Sequence, residues 1–141
     1  MKTKFLLPFV VVLLFGSSCD DSNDSNDTIS EDPLAGVWHL KNVSGGIQGI
    51  DLDYDQGDVS WNFMMDESTL EVESNILTDG PKSINQGLLK GIYAVEFDEQ
   101  QSIRTLVILG AKFRVLEIDE KSTLVIDDGV AADGFVRTFE R

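Results

Sequence analysis

One cysteine and one histidine stand in the 141 residues of this chain. A single cysteine excludes an internal disulfide. With one histidine as well, a zinc site built on His and Cys, or a Cys–His nucleophile pair, lacks its parts. Cations are also scarce: 11 Lys and Arg stand against 25 Asp and Glu, a net charge of −14. Phosphate backbones are gripped by clustered Lys and Arg, so nucleic acid is excluded as a partner. Anionic lipid surfaces are disfavoured for the same reason. No long stretch shows helical periodicity, which removes the crossover helices that parallel sheets require. No recognisable Ser motif accompanies His39, and no spacing among the carboxylates singles out an acid–base pair. The expectation is a protein with no catalytic residue, no metal and no cofactor.

What is present begins with an address. Lys2 and Lys4 precede the apolar run Phe5–Phe15, and the small residues Gly16, Ser17 and Ser18 follow it. This is the layout of a secretory signal peptide over residues 1–18. The run is too short to span a bilayer, which takes about 20 apolar residues. The segment carries no acidic residue, so its removal leaves the chain more acidic still. From Asp20 to Pro33 there are fourteen residues with six acids and one apolar side chain, Ile29. Such a stretch cannot bury enough apolar area to offset its conformational entropy, and residues 19–33 read as a disordered tether. As a flexible coil it reaches roughly 20 Å.

The sequence Leu14-Phe-Gly-Ser-Ser-Cys19 resembles the lipobox of bacterial lipoproteins. The resemblance implies cleavage before Cys19, a thioether-linked diacylglyceryl group on its sulfur, and acylation of the new amine. Two or more acyl chains make a stable membrane anchor where one does not. The acidic stretch after Cys19 resembles the surface-export signal of some diderm bacteria. Together these imply a lipid anchor in the outer membrane; the alternatives are inner-membrane retention, which Asp directly after the Cys marks in other such bacteria, and a solvating spacer with no sorting role.

Residues 34–141 read as one domain of short strands between turn-forming residues. Eight are expected: Gly36–Val43, Val59–Met64, Thr69–Ser74, Leu88–Phe97, Ile103–Leu109, Ala111–Ile118, Ser122–Ile126 and Phe135–Arg141. Val59, Trp61 and Phe63 alternate with polar neighbours. Leu89, Gly91, Tyr93, Val95 and Phe97 share one face of the fourth strand. The sixth strand changes phase at Leu116, the mark of a β-bulge. Short polar turns join neighbours, which favours antiparallel pairing. The fold class is therefore all-β: an eight-stranded antiparallel up-and-down barrel, with a β-sandwich as the alternative. Closure removes exposed edges, and a monomeric domain is expected.

Gly36-Val-Trp38 at the first strand, and the aromatic strand Phe135–Arg141 at the end, resemble the lipocalin-like families. The stretch Gly45–Phe63 resembles small bacterial lipocalin-like lipoproteins. The resemblance implies that Gly36, Trp38 and Arg141 form a structural closure, with Arg141 packed over Trp38 at the closed end. At 108 residues the domain is shorter than a typical lipocalin, and no helix follows the last strand.

Two further features bear on ligands. Asp51, Asp53, Asp55 and Asp58 suggest a calcium loop, but Gln56 stands where an EF-hand needs Gly and Asn62 where it needs an acid. The segment reads as a polar loop over the barrel mouth. Arg137 lies between Phe135 and Phe139, so strict alternation turns it inward. A buried guanidinium must be paired. Its partner is either a ligand carboxylate or an internal acid such as Glu117, the alternative being a bulge that turns Arg137 outward. Arg137, Trp61, Tyr93, Phe97 and Phe113 are thus the candidate ligand contacts, for a small apolar or amphipathic molecule. A barrel filled by its own side chains, docking an envelope protein, is the competing reading.

Overall fold

The structure, a computed structural model, describes residues 32–100, 103–119 and 122–141. The signal-peptide segment, Cys19 and the tether up to Glu31 lie outside the described residues. Within them the protein is all-β. Ten strands run in chain order: β1 (Gly36–Gly45), β2 (Ile50–Asp53), β3 (Val59–Met64), β4 (Thr69–Ser74), β5 (Gly91–Ala94), β6 (Glu96–Gln100), β7 (Ile103–Ile108), β8 (Ala111–Asp119), β9 (Thr123–Asp127) and β10 (Phe135–Glu140). One short helix, α1 (Pro81–Asn85), interrupts the segment between β4 and β5.

All pairings are antiparallel, in the order β5-β4-β3-β1-β10-β9-β8-β7-β6, with β2 on β1. The two end strands, β5 and β6, are consecutive in the chain and separated only by Val95. Their shared segment runs along β4 and then along β7, so the sheet curls into a nearly closed barrel. The expected fourth strand, Leu88–Phe97, is corrected to two strands that change partner at Val95. Val95 is buried, and its N–H donates to the Ser68 carbonyl at 2.9 Å. Leu89, placed inward by the alternation, is instead exposed and precedes β5.

The eight-strand count is corrected to ten by this division and by β2, which falls in the segment read as a loop. β1 explains β2. Its first half, Gly36–His39, pairs with β3, and its second half, Asn42–Gly45, pairs with β2. A register shift against β10 between Leu40 and Asn42 marks a bulge at Lys41. The bulge returns Val43 to the inside, next to Leu40. The bulge expected in the sixth strand is present in β8, between Val115 and Glu117.

The interior is filled with side chains. Trp61, fully buried, lies against Phe139 with ring centroids 4.9 Å apart and meets Phe63 and Phe113 edge-on at 6.1 Å. Leu40, Leu70, Val72, Leu106, Leu124 and Ile126 complete the packing. A barrel of about eight strands is just wide enough for such a filling. Removing the central ring leaves a cavity that its rigid neighbours cannot collapse. Trp61→Ala is expected to lower the unfolding free energy by about 3–5 kcal/mol in urea denaturation, against under 1 kcal/mol for the exposed Leu77→Ala.

Candidate functional site

The meander gives the barrel two unlike ends. Turns after β3, β6 and β8, with both chain ends of the described fold, lie at one end. Turns after β1, β7 and β9, with α1 and its flanks, lie at the other.

The first end is sealed. The Arg141 guanidinium carbon stands 4.2 Å from the centre of the Trp38 ring. Arg141 Nη2 donates to the carbonyls of Pro33 at 2.9 Å and Ala35 at 2.5 Å, and Trp38 Nε1 donates to the Leu34 carbonyl at 2.8 Å. Gly36 adopts φ +97°, which lets the chain turn into β1 directly before this stack. Arg104 binds Asp32 bidentately at 2.7 and 2.6 Å and also covers the Phe97 ring at 4.6 Å. The Arg104 hydrogen bond holds the Asp32 carboxyl below the usual carboxylate range. Planar fork-to-carboxylate pairing of this kind is strong and directional.

The opposite end holds the inward Arg137, 3% exposed. Its partner is Asp128, which corrects the internal acid expected from the sequence. Glu117 lies after the β8 bulge and is exposed. The bulge reverses the face on which alternation had placed it. The Gly87 backbone lies directly on the guanidinium: a Cβ there would stand 2.7 Å from Arg137 Nε. Nε itself has no hydrogen-bond partner. Asp127, beside Asp128, is buried and binds Arg114. Its Oδ1 also accepts the N–H groups of Gly129 at 2.7 Å and Val130 at 2.6 Å. Burial pushes the Asp127 carboxyl up, but the Val130 N–H, Arg114 and the Gly129 N–H outweigh it and hold it low. The turn Asp127-Asp-Gly129 therefore orients two arginines at once.

The α1 segment covers this end. Tyr54 Oη donates to the Lys82 carbonyl at 2.9 Å, and Ser74 Oγ donates to Gln86 Oε1 at 2.6 Å. Lys82 Nζ lies 3.3 Å from Asp58 and 5.4 Å from the centre of the Tyr54 ring. Tyr54 is buried, and desolvation raises its hydroxyl to about 12; Arg137 opposes the shift and Asp58 adds to it.

An open groove of about 850 Å³ runs from Ile103 and Thr105 of β7, over Lys112, Phe113 and Arg114 of β8, to Phe135 and the Asp127–Gly129 turn. It lies beside the filled interior. Of the five ligand contacts expected from the sequence, only Phe113 and its core neighbour Trp61 come together. Tyr93 stands on β5, its hydroxyl donating to the Leu89 carbonyl at 2.7 Å. Phe97 lies under Arg104 near the sealed end, and Arg137 is at the opposite one. Sequence reasoning missed Thr105, Arg114, Phe135 and the Asp127–Asp128 pair as groove residues. The two acids before Gly129 were the available signal, since a turn needs only one. Among the described residues there is no cluster of His, Cys, Asp and Glu fit to hold a metal, and no helix long and apolar enough to cross a membrane.

Compared with known proteins, the chain matches no family model, and no curated protein and no solved structure is significantly similar to it.

Two measurements check this electrostatic scheme. Asp128→Asn strands a buried guanidinium and is expected to cost roughly 3–5 kcal/mol in urea unfolding, while Asp128→Asn with Arg137→Met recovers part of that loss. Tyr54 is expected to ionise near pH 12, read from tyrosinate absorbance, and higher still in Arg137→Met. Because the folded value lies above the unfolded one of 10, its contribution is complete below pH 10 and is lost as the pH rises toward 12.

Proposed function

We propose that the protein is a non-enzymatic binding module, held at the outer membrane by lipid on Cys19, for a small apolar or amphipathic molecule. The groove beside the barrel carries this reading. Its volume, about 850 Å³, falls in the range of small-molecule sites. Ile103, Phe113 and Phe135 offer apolar walls, and Thr105, Lys112 and Arg114 offer polar contacts along one side. An elongated apolar body with one polar end suits that division. The filled interior moves the ligand from the barrel axis, where the aromatic residues first suggested it, to this lateral groove. Membrane attachment and the lipocalin-like family rest on the residues around Cys19 and on the Gly36-Val-Trp38 opening. The stack of Arg141 on Trp38 supports the family reading.

The competing reading, a structural lipoprotein that docks an envelope protein, is favoured by one observation. Ile47, Leu77, Ile84, Leu89 and Leu109 are all strongly exposed, and all belong to turns or segments at the end away from the Trp38 seal.

Anilinonaphthalene sulfonate, an apolar fluorophore with one anionic group, tests the groove. The whole chain in detergent below its critical micelle concentration is expected to enhance its emission saturably. Thr105→Trp, which fills the groove from an outward position, should weaken that binding by roughly tenfold or more. Equal binding by the variant, with an unchanged urea midpoint, would move the ligand elsewhere.

A further inference from the structure

We infer that the free edge of β2 is a strand-addition site for an extended segment of a partner protein carrying alternate basic and apolar residues. This goes beyond the ligand groove, which lies on β7 and β8.

β2 is hydrogen-bonded on one side only. Its four residues pair with Asn42–Gly45 of β1, and no described strand pairs with its other edge. In a strand, alternate backbone N–H and C=O groups face each edge, so β2 presents unpaired ones outward. These groups border an open groove of about 500 Å³. Ile50 and Leu52 form one wall, and Pro81 and Ile84 of α1 form the other. Ile84 is 78% exposed, an unusual state for an apolar residue facing its own domain. At a strand spacing of ~4.8 Å, a sheet thickness of ~10 Å and ~3.3 Å per residue, a four-residue strand occupies roughly 600 Å³. The groove matches one added strand in size.

The side chains of β2 define the chemistry of that strand. Leu52 packs against the core, so the face of Ile50 and Leu52 is the inner one. Apolar residues of the added strand belong beside them. Asp51 and Asp53 are exposed on the other face. Both accept from Asn42 Nδ2, at 2.8 and 3.0 Å, and neither has an ion pair among the described residues. Two uncompensated carboxylates at alternate positions call for cations at alternate positions across the strand boundary. Asp55, the next aspartate along the chain and 93% exposed, is in contrast paired with Lys82 at 3.9 Å. Main-chain pairing supplies the affinity in this mode, and alternate side chains supply the specificity. An acidic free edge also protects against pairing between copies of this chain, since β2 would face its own aspartates.

Three synthetic peptides test the inference against the whole chain. One alternates, Lys-Val-Lys-Val-Lys-Val-Lys. The second has the same composition in blocks, four lysines then three valines. The third alternates glutamate with valine. The alternating lysine peptide is expected to bind at least roughly tenfold tighter than either of the others. Its binding should slow hydrogen exchange at the outward backbone N–H groups of residues 50–53. Asp51→Lys with Asp53→Lys, both exposed positions, should transfer the preference to the glutamate peptide. Equal affinity for the alternating and block peptides would reduce the effect to net charge and overturn the proposal. Absence of binding, or binding without slowed exchange in β2, would overturn it as well. The exchange result on the unaltered chain decides the matter even if the double variant folds poorly.

Discussion

The packing around Trp61 constrains everything else in this molecule. An indole at the centre of a small barrel, touching Phe63, Phe113 and Phe139, leaves no axial channel at that level. Chemistry can then occur only at the ends or on the outside. The structure follows that rule. One end is closed by Trp38 and Arg141, and the other is covered by α1 and Gly87. One open groove runs along β7 and β8, and another lies between β2 and α1.

The four arginines show how an acidic chain spends few cations. Arg104 holds Asp32, Arg114 holds Asp127, Arg137 holds Asp128, and Arg141 holds the carbonyls of Pro33 and Ala35. Arg104 and Arg137 tie strands to segments outside the regular sheet, Arg114 ties β8 to the last residue of β9, and Arg141 ties the residue after β10 to the segment before β1. A guanidinium suits this work because its fork matches a carboxylate and its face stacks on rings, as on Trp38 and Phe97. Lysines are left to exposed pairs, such as Lys90 with Glu73 and Lys41 with Glu140, which contribute little to stability. Most surface carboxylates therefore stay uncompensated, and the net charge of −14 faces solvent. Any partner meets a negative surface with a few apolar breaks in it.

The pattern of residues made faces legible and partners illegible. Alternation placed β3 and β4 at their observed bounds, turned Arg137 inward, and located the β8 bulge. Each of these depends on local period alone. The division at Val95 could not be read, because burial alternates smoothly from Gly91 to Phe97 while the neighbouring strand changes. The Lys41 bulge was hidden because Leu40 and Val43 are three apart, a spacing that polar neighbours disguise. β2 was read as loop because two apolar residues among four aspartates are too few to show a period. Glu117 was matched to Arg137 by counting through a bulge that reverses the count. The groove residues were the least legible of all. Thr105 and Arg114 are ordinary outward positions until the register brings them side by side.

The asymmetry of the ends sets a direction on the whole molecule. The chain reaches the barrel through Asp32, and Arg104 and Arg141 fasten it there, at the sealed end. The exposed apolar side chains, the α1 cover and the free edge of β2 lie toward the other end, roughly one strand length away, or about 20–30 Å. On the proposed readings, a lipid anchor at Cys19 and a partner strand at β2 would engage opposite ends of the barrel. A filled interior suits that arrangement, because a hollow barrel yields at its cavity and a packed one transmits strain.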